Sequence, residues 1–409
     1  MPRRHPHESG LFDESGHSTR GTTDTGDRAI ATEVNPDVLR WARETAGVEP
    51  ASLARRFPKL DAWERGATKP TVSQLETLSD LYKRPLATFF LSSPPKEPPP
   101  PRDFRLLDRE QPRTLSKKTR LAMRAARRAQ RIYTTLSRDM QIGTSPVPQL
   151  RLAADVEQQA KTIRRLLRIT VDEQRSWADE YAAWRHWRAA VEALGVLVLQ
   201  QTMPVKEVRG FSLNGASTPT IVVSSTDAVV ARLFTLFHEL AHLLLDSVGM
   251  CLPNPDDDSP GKGVEPFCNR FSGAVLVPFE LLRDDPALVS LGDSIEDAEV
   301  ERHILRTAKS YKVSRFVLLF RLLAARSITS ARVSRLMDQW SHEPPRVGKG
   351  GPQPPANKAL NQYGARFVSA VLEAQTRSLI TASDAAGYLA LKVKHFPTLE
   401  RLIATSGRG

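Results

Sequence analysis

The sequence predicts a mostly helical chain with one small β-sheet, an α+β fold, and three observations carry that expectation. Apolar residues recur at helical spacing over most of the chain from Val34 onward. Three short apolar runs, at residues 196–200, 208–213 and 219–223, break the pattern and read as strands, with Asn214-Gly215 marking a turn between the last two. Immediately after them, residues 231–250 are apolar nearly all round, which describes a buried helix.

The 409 residues allow large cores and more than one domain. A formal charge of +12 favours contact with a polyanion such as DNA, although a basic surface is also an ordinary solubilising device. Only two cysteines occur, Cys251 and Cys268, and the sequence shows no apolar leader and no stretch of membrane-spanning length. The expectation is a reduced, cytoplasmic protein without membrane contact, its oligomeric state unread.

Taken in order, residues 1–31 carry few large apolar side chains and read as a disordered tail, in which His5, His7 and His17 belong to the low-complexity composition. Residues 32–91 change to short helical units. Asn35-Pro36 caps the first, which Gly47 ends; a second is expected over residues 50–57, and Lys69-Pro70-Thr71 precedes another carrying Val72, Leu75, Leu78 and Leu81. Residues 92–102 form a Pro-rich linker. Beyond it Lys117, Arg120, Arg124, Arg128 and Arg131 recur every three or four residues, a basic stripe that is either a solvated face or a set of phosphate contacts. Trp177, Trp184, Trp187, Val191 and Leu194 are expected core anchors, and His186 among them is expected to be structural. Residues 298–340 form two or three further helices. Residues 343–356 make a second, Pro- and Gly-rich linker, and 357–409 a helical C-terminal extension whose apolar set is Phe367, Val371, Leu389 and Leu391.

The chemistry sits in the apolar helix, which carries H-E-x-x-H at His238, Glu239 and His242. Residues four apart share a helix face, so both imidazoles can converge on one ion with Glu239 beside them, a zinc-hydrolase spacing. A catalytic zinc takes three protein ligands, so a third is required. Asp246 is a full turn past His242, and Asp256, Asp257 and Asp258 lie in a Pro-rich loop that reads as solvated charge. Glu265 opens an apolar helical run that stops at Pro278 and is the strongest candidate. Two satisfied core histidines are the alternative to a metal site. Cys251 and Cys268 flank the region, and a buried cysteine is more often a small hydrophobe than a ligand. His303 is a weak candidate for an oxyanion donor, and the strand at 208–213 for an edge strand that holds substrate, though it can equally be interior.

Two resemblances follow. The segments Ala51-Ser52-Leu53-Ala54, Trp63-Glu64-Arg65-Gly66-Ala67-Thr68-Lys69-Pro70 and residues 75–81 resemble a helix-turn-helix of the Cro/repressor type, with Ser52, Arg55, Lys59 and Arg65 as the DNA contacts implied. Only Arg55 to Ala62 separate Leu53-Ala54 from Trp63, about a turn less than a full recognition helix needs, so a helical bundle for protein contacts stays open beside DNA binding. Lys312-Val313-Ser314-Arg315 resembles another such turn, with packing onto the preceding domain as the alternative.

Residues 234–245 (Phe-Thr-Leu-Phe-His-Glu-Leu-Ala-His-Leu-Leu-Leu), Glu265, Asn269-Arg270-Phe271, Leu276-Val277-Pro278 and the strand Ile221-Val222-Val223 resemble the ImmA/IrrE metallopeptidases, over roughly residues 34–340. Cys268-Asn269 stands where Ala-Asn is commoner, and Ser272-Gly273 where two alanines are. The resemblance implies a zincin-like metallopeptidase domain at 103–342, with its catalytic core at about 177–285 and a helical bundle at about 295–340, preceded by an all-α helix-turn-helix domain. It implies one zinc on His238, His242 and Glu265, with Glu239 as general base. The implied partner is a regulatory protein, a transcriptional repressor, cleaved in a stress, phage-defence or mobile-element setting. A DNA-binding regulator with a vestigial peptidase domain is the alternative, and a structural interaction scaffold a third.

Overall fold

The computed structural model describes residues 32–96, 115–143, 148–214, 218–245, 263–284, 288, 295–341, 351 and 353–406. The expected tail with its histidines, the linker beyond residue 96, Gly215, Asp246, Cys251, Asp256, Asp257, Asp258 and most of the second linker lie outside them. The chain clusters into two units, Met1–Ala42 with Pro50–Pro94, and Arg43–Glu49 with Pro95–Gly409.

The first unit holds α1 (Pro36–Thr45) as far as Ala42, then α2 (Pro50–Leu53), α3 (Leu60–Glu64) and α4 (Val72–Tyr82), which precede a 3-10 turn at Leu86–Phe90. Leu39, Leu75, Leu78, Tyr82 and Phe89 are fully buried among them. α2 ends at Leu53, short of the expected Phe57, and a turn follows in which the Arg56 and Phe57 amides both reach the Leu53 carbonyl. Thr71 caps α4 reciprocally with Gln74, satisfying two of the amides that a helix start leaves open.

The second unit is built on three strands, β1 (Leu197–Gln201), β2 (Gly210–Leu213) and β3 (Thr220–Ser224), in the order β1-β3-β2. β3 runs parallel to β1 and antiparallel to β2, so β2 is an edge strand among the described residues. It starts two residues later than expected, because the Val208 amide closes a turn onto the Pro204 carbonyl. Strand side chains alternate between the sheet's faces, and here both faces are covered. Val198, Ile221 and Val223 enter one core; Leu197, Leu199, Phe211, Leu213 and Val222 enter another.

The first core is formed by α6 (Val156–Leu166), α7 (Val171–Ser176), α8 (Glu180–Ala193), α9 (Val229–Leu244), α10 (Val264–Leu276), α11 (Phe279–Asp284), α12 (Asp297–Tyr311), α13 (Arg315–Ala324) and α14 (Ser330–Ser341). Trp177, Trp184 and Trp187 anchor it as expected, and His186 stacks on Trp177 at 4.9 Å. The turn at Lys312–Ser314 uses a left-handed Lys312 and the Ser314 hydroxyl as cap, and α13 packs on α10.

The second core answers a question the sequence left open. α5 (Lys117–Asp139), α15 (Pro355–Thr376), α16 (Ala382–Leu389) and α17 (Phe396–Ser406) cover the sheet's other face, so the C-terminal helices are a layer of this unit and not an appendage. α15 kinks at Gly364 (φ 81°), where a Cβ would lie 2.0 Å from Glu192 Oε1. Glu192 accepts the Arg366 amide at 3.1 Å and Arg188 Nε at 3.0 Å, which ties α15 to α8. The basic stripe on α5 is correspondingly not one solvated face. Lys117, Arg120 and Arg124 are half-buried, while Arg128 and Arg131 are exposed, with Arg128 reaching the Gly387 carbonyl and lying over the Tyr388 ring.

Candidate metal centre

α9 is apolar nearly all round, and from Thr235 to Leu244 every residue is buried. Phe237 meets Trp187 of α8 edge-on at 5.0 Å, and the helix also packs on α10, β2 and β3. Its polar groups are buried with it: His238 and Glu239 are fully enclosed and His242 is 2% exposed. Burial of that kind requires partners. The two Nε2 atoms face each other at 3.1 Å, one helical turn apart.

α10 supplies the third group from its first turn. Glu265 Oε2 lies 3.3 Å from His238 Nε2, and its Oε1 lies 3.2 Å from His242 Nε2. Burial pushes the Glu265 carboxyl up, but the two imidazoles together outweigh it and hold the group well below the usual carboxylate range. Among the described residues these three form the one cluster of metal-ligand types, their donor atoms all within 4.8 Å of one another. Zinc bonds of about 2.0–2.1 Å in a tetrahedron put donors about 3.3 Å apart, so the observed 3.1–3.3 Å separations fit one ion.

The far end of α10 is fastened by three side chains. Pro278 stops the helix, and the carbonyls left open are met by Arg164 (to Val275, 2.6 Å), Gln174 (to Leu276, 3.1 Å) and Arg321 (to Val277, 2.7 Å). Gly273 belongs to the same device, since a Cβ there would stand 2.9 Å from Arg321 Cδ. Ser272 donates to the Cys268 carbonyl within the helix.

Beside the cluster stand two residues that the sequence reading did not assign to the site. Asn269 Oδ1 lies 3.1 Å from His238 Nδ1, a relation foreshadowed by the four-residue spacing of Glu265 and Asn269. Gly210 of β2 abuts α9: a Cβ there would lie 2.4 Å from Thr235 Cγ2 and 3.5 Å from Glu239 Cγ. No sequence signal announces that approach. Cys268 is fully buried, and burial pushes its thiol up to about 11, against the pull of His242; it stands outside the ligand cluster. His303 is directed to Glu299 at 3.9 Å and is not brought to the centre. Ser52, Arg55, Lys59 and Arg65 are exposed in the first unit, Arg65 paired with Asp61 at 2.6 Å.

Sheet, helix and ligand cluster together have the form of a metal-dependent hydrolase centre. Residues 191–323 match the family model of the IrrE N-terminal-like domain, Peptidase_M78. That segment runs from the end of α8 through the sheet, α9 and α10 into α13, and it supports the resemblance to metallopeptidases of the ImmA/IrrE type. The helix-turn-helix expected at 32–91 lies outside the match. Comparison with curated proteins and with solved structures finds no match. Among the described residues no helix is long and apolar enough to cross a membrane.

Proposed function

We propose that the chain is a zinc-dependent endopeptidase that cleaves a regulatory protein, with a transcriptional repressor as substrate in a stress, phage-defence or mobile-element setting. The observation that supports it best is the convergence of His238, His242 and Glu265 at spacings suited to one ion, with Glu239 on the same helix. When bound there, zinc supplies Lewis acidity toward water and toward a scissile carbonyl. Glu239 takes the proton from the attacking water and hands it to the leaving amine. Its full burial keeps competing water away and strengthens each charge–charge interaction. An extended substrate adds to β2, whose Gly210 lies against the helix that carries Glu239. All four β2 residues are buried, so substrate access requires that edge to be uncovered.

The test separates holding the metal from using it. Glu239→Gln keeps size and hydrogen bonding but cannot take the proton, so zinc content persists while cleavage of a co-expressed repressor falls by about 100-fold or more. His242→Ala loses most of the zinc as well. Intact cleavage by Glu239→Gln, read by fragment size, sinks the peptidase reading.

A DNA-binding regulator with a vestigial centre is favoured by one observation, the +12 charge together with exposed Ser52, Arg55, Lys59 and Arg65. α3 has only five residues, which leaves little helix for base edges. Any binding is therefore expected to be weak, sequence-blind and lost steeply with salt. Titration of the full chain against random and candidate operator duplexes at several salt concentrations decides it, and tight selective binding at high salt would favour the regulator.

A further inference from the structure

We infer that Asn269 is the positioning residue of His238, an inference that rests on the zinc reading above. His238 Nε2 faces Glu265 Oε2 at 3.3 Å and His242 Nε2 at 3.1 Å, so this is the nitrogen whose lone pair is needed at the centre. A neutral imidazole then carries its proton on Nδ1. Asn269 Oδ1 stands 3.1 Å from that Nδ1, placed to accept its proton. The hydrogen bond selects the tautomer that leaves Nε2 unprotonated, and it fixes the rotation of the ring about its own axis. Without an acceptor there, the imidazole can place its proton on Nε2, which must be removed before an ion can bind.

The placement is economical in structure. Glu265 and Asn269 are four apart on α10, so one helix face delivers a ligand and the group that aims another. The same helix is locked at its far end by Arg164, Gln174 and Arg321, which limits how far either residue can drift. Asn269 itself is exposed, whereas His238 is fully buried. Replacing Asn269 therefore removes no core contact, and its effect reports on orientation.

The experiment uses the full chain. Zinc affinity is measured by competition with a chromogenic chelator for wild type, Asn269→Leu, Asn269→Asp and His238→Ala, and the hydrogen-bonded Nδ1–H signal of His238 is followed by NMR. Asn269→Leu removes the acceptor at similar size and is expected to weaken zinc binding about 10- to 100-fold with loss of that signal; Asn269→Asp restores both. Equal affinity in wild type and Asn269→Leu overturns the positioning role and leaves the zinc reading standing. A wild type that binds no zinc overturns the zinc reading and this inference with it. Should Asn269→Leu fail to fold, the other arms decide: an Asp variant as weak as His238→Ala, or a wild-type His238 protonated on Nε2, sinks the proposal.

Discussion

At position 210 a side chain has nowhere to go. Thr235 Cγ2, the Val222 carbonyl and Glu239 Cγ stand 2.4, 2.9 and 3.5 Å from where a Cβ would be, so the backbone of the strand lies directly against the Thr235 and Glu239 side chains of α9. Gly210→Ala must push α9 or β2 aside, an overpacking cost of about 1–3 kcal/mol. The expected outcome is a lower melting temperature with zinc still bound and cleavage reduced beyond what the lost stability explains, checked by thermal melts, metal analysis and fragment assays on one preparation. By contrast, His238, Glu239 and His242 were legible from spacing alone, because four residues make one helical turn wherever a helix lies. Gly210 was not, since the atoms that require it belong to residues 12 and more positions away in sequence.

Among the elements, α10 shows how a ligand helix is held. Gln174 donates to the Leu276 and Tyr311 carbonyls at 3.1 and 2.8 Å and accepts from Arg164 at 2.8 Å, all in the interior. Gln174→Ala takes the donor from the buried Leu276 and Tyr311 carbonyls, while Arg164 keeps its bonds to the Val275 and Thr170 carbonyls, and the loss costs about 1–3 kcal/mol against little lost apolar area. Chemical denaturation is expected to show that loss as a lower midpoint with an unchanged slope, whereas a variant as stable as wild type would mean that water fills the gap. The helix itself was readable, with Glu265 near its start and Pro278 as its stop. Its fastening was not, because Arg164, Gln174 and Arg321 lie on three other helices and look like ordinary polar residues in the sequence. The expected second helix at 50–57 closes early, at Leu53.

For the molecule as a whole, the consequential difference lies at the C-terminus. Leu197, Leu199, Phe211, Leu213 and Val222 point into the core that α15, α16 and α17 complete. At about 2 kcal/mol for each large side chain re-exposed, removing that layer forfeits at most about 10 kcal/mol, less what α5 still covers, which is a large part of the stability of a domain. A chain ending at residue 341 is therefore expected to be insoluble or molten, judged by soluble yield and by near-ultraviolet circular dichroism. A truncated chain that melts cooperatively and binds zinc would make the layer dispensable.

The sequence by itself determined the mostly helical class with a small sheet, the order of helices and strands, and the Glu and two His that one helix brings together, since periodicity and spacing act within a single element. Only the tertiary structure decided what covers the sheet's second face, that Glu265 closes on both imidazoles, that Asn269 meets His238, and that β2 is an edge strand pressed on α9 at Gly210. Those facts depend on residues far apart in the chain. A Pro- and Gly-rich stretch looks the same whether it separates two bodies or returns the chain to one of them, and apolar area to be buried on the sheet is what draws the C-terminal helices back.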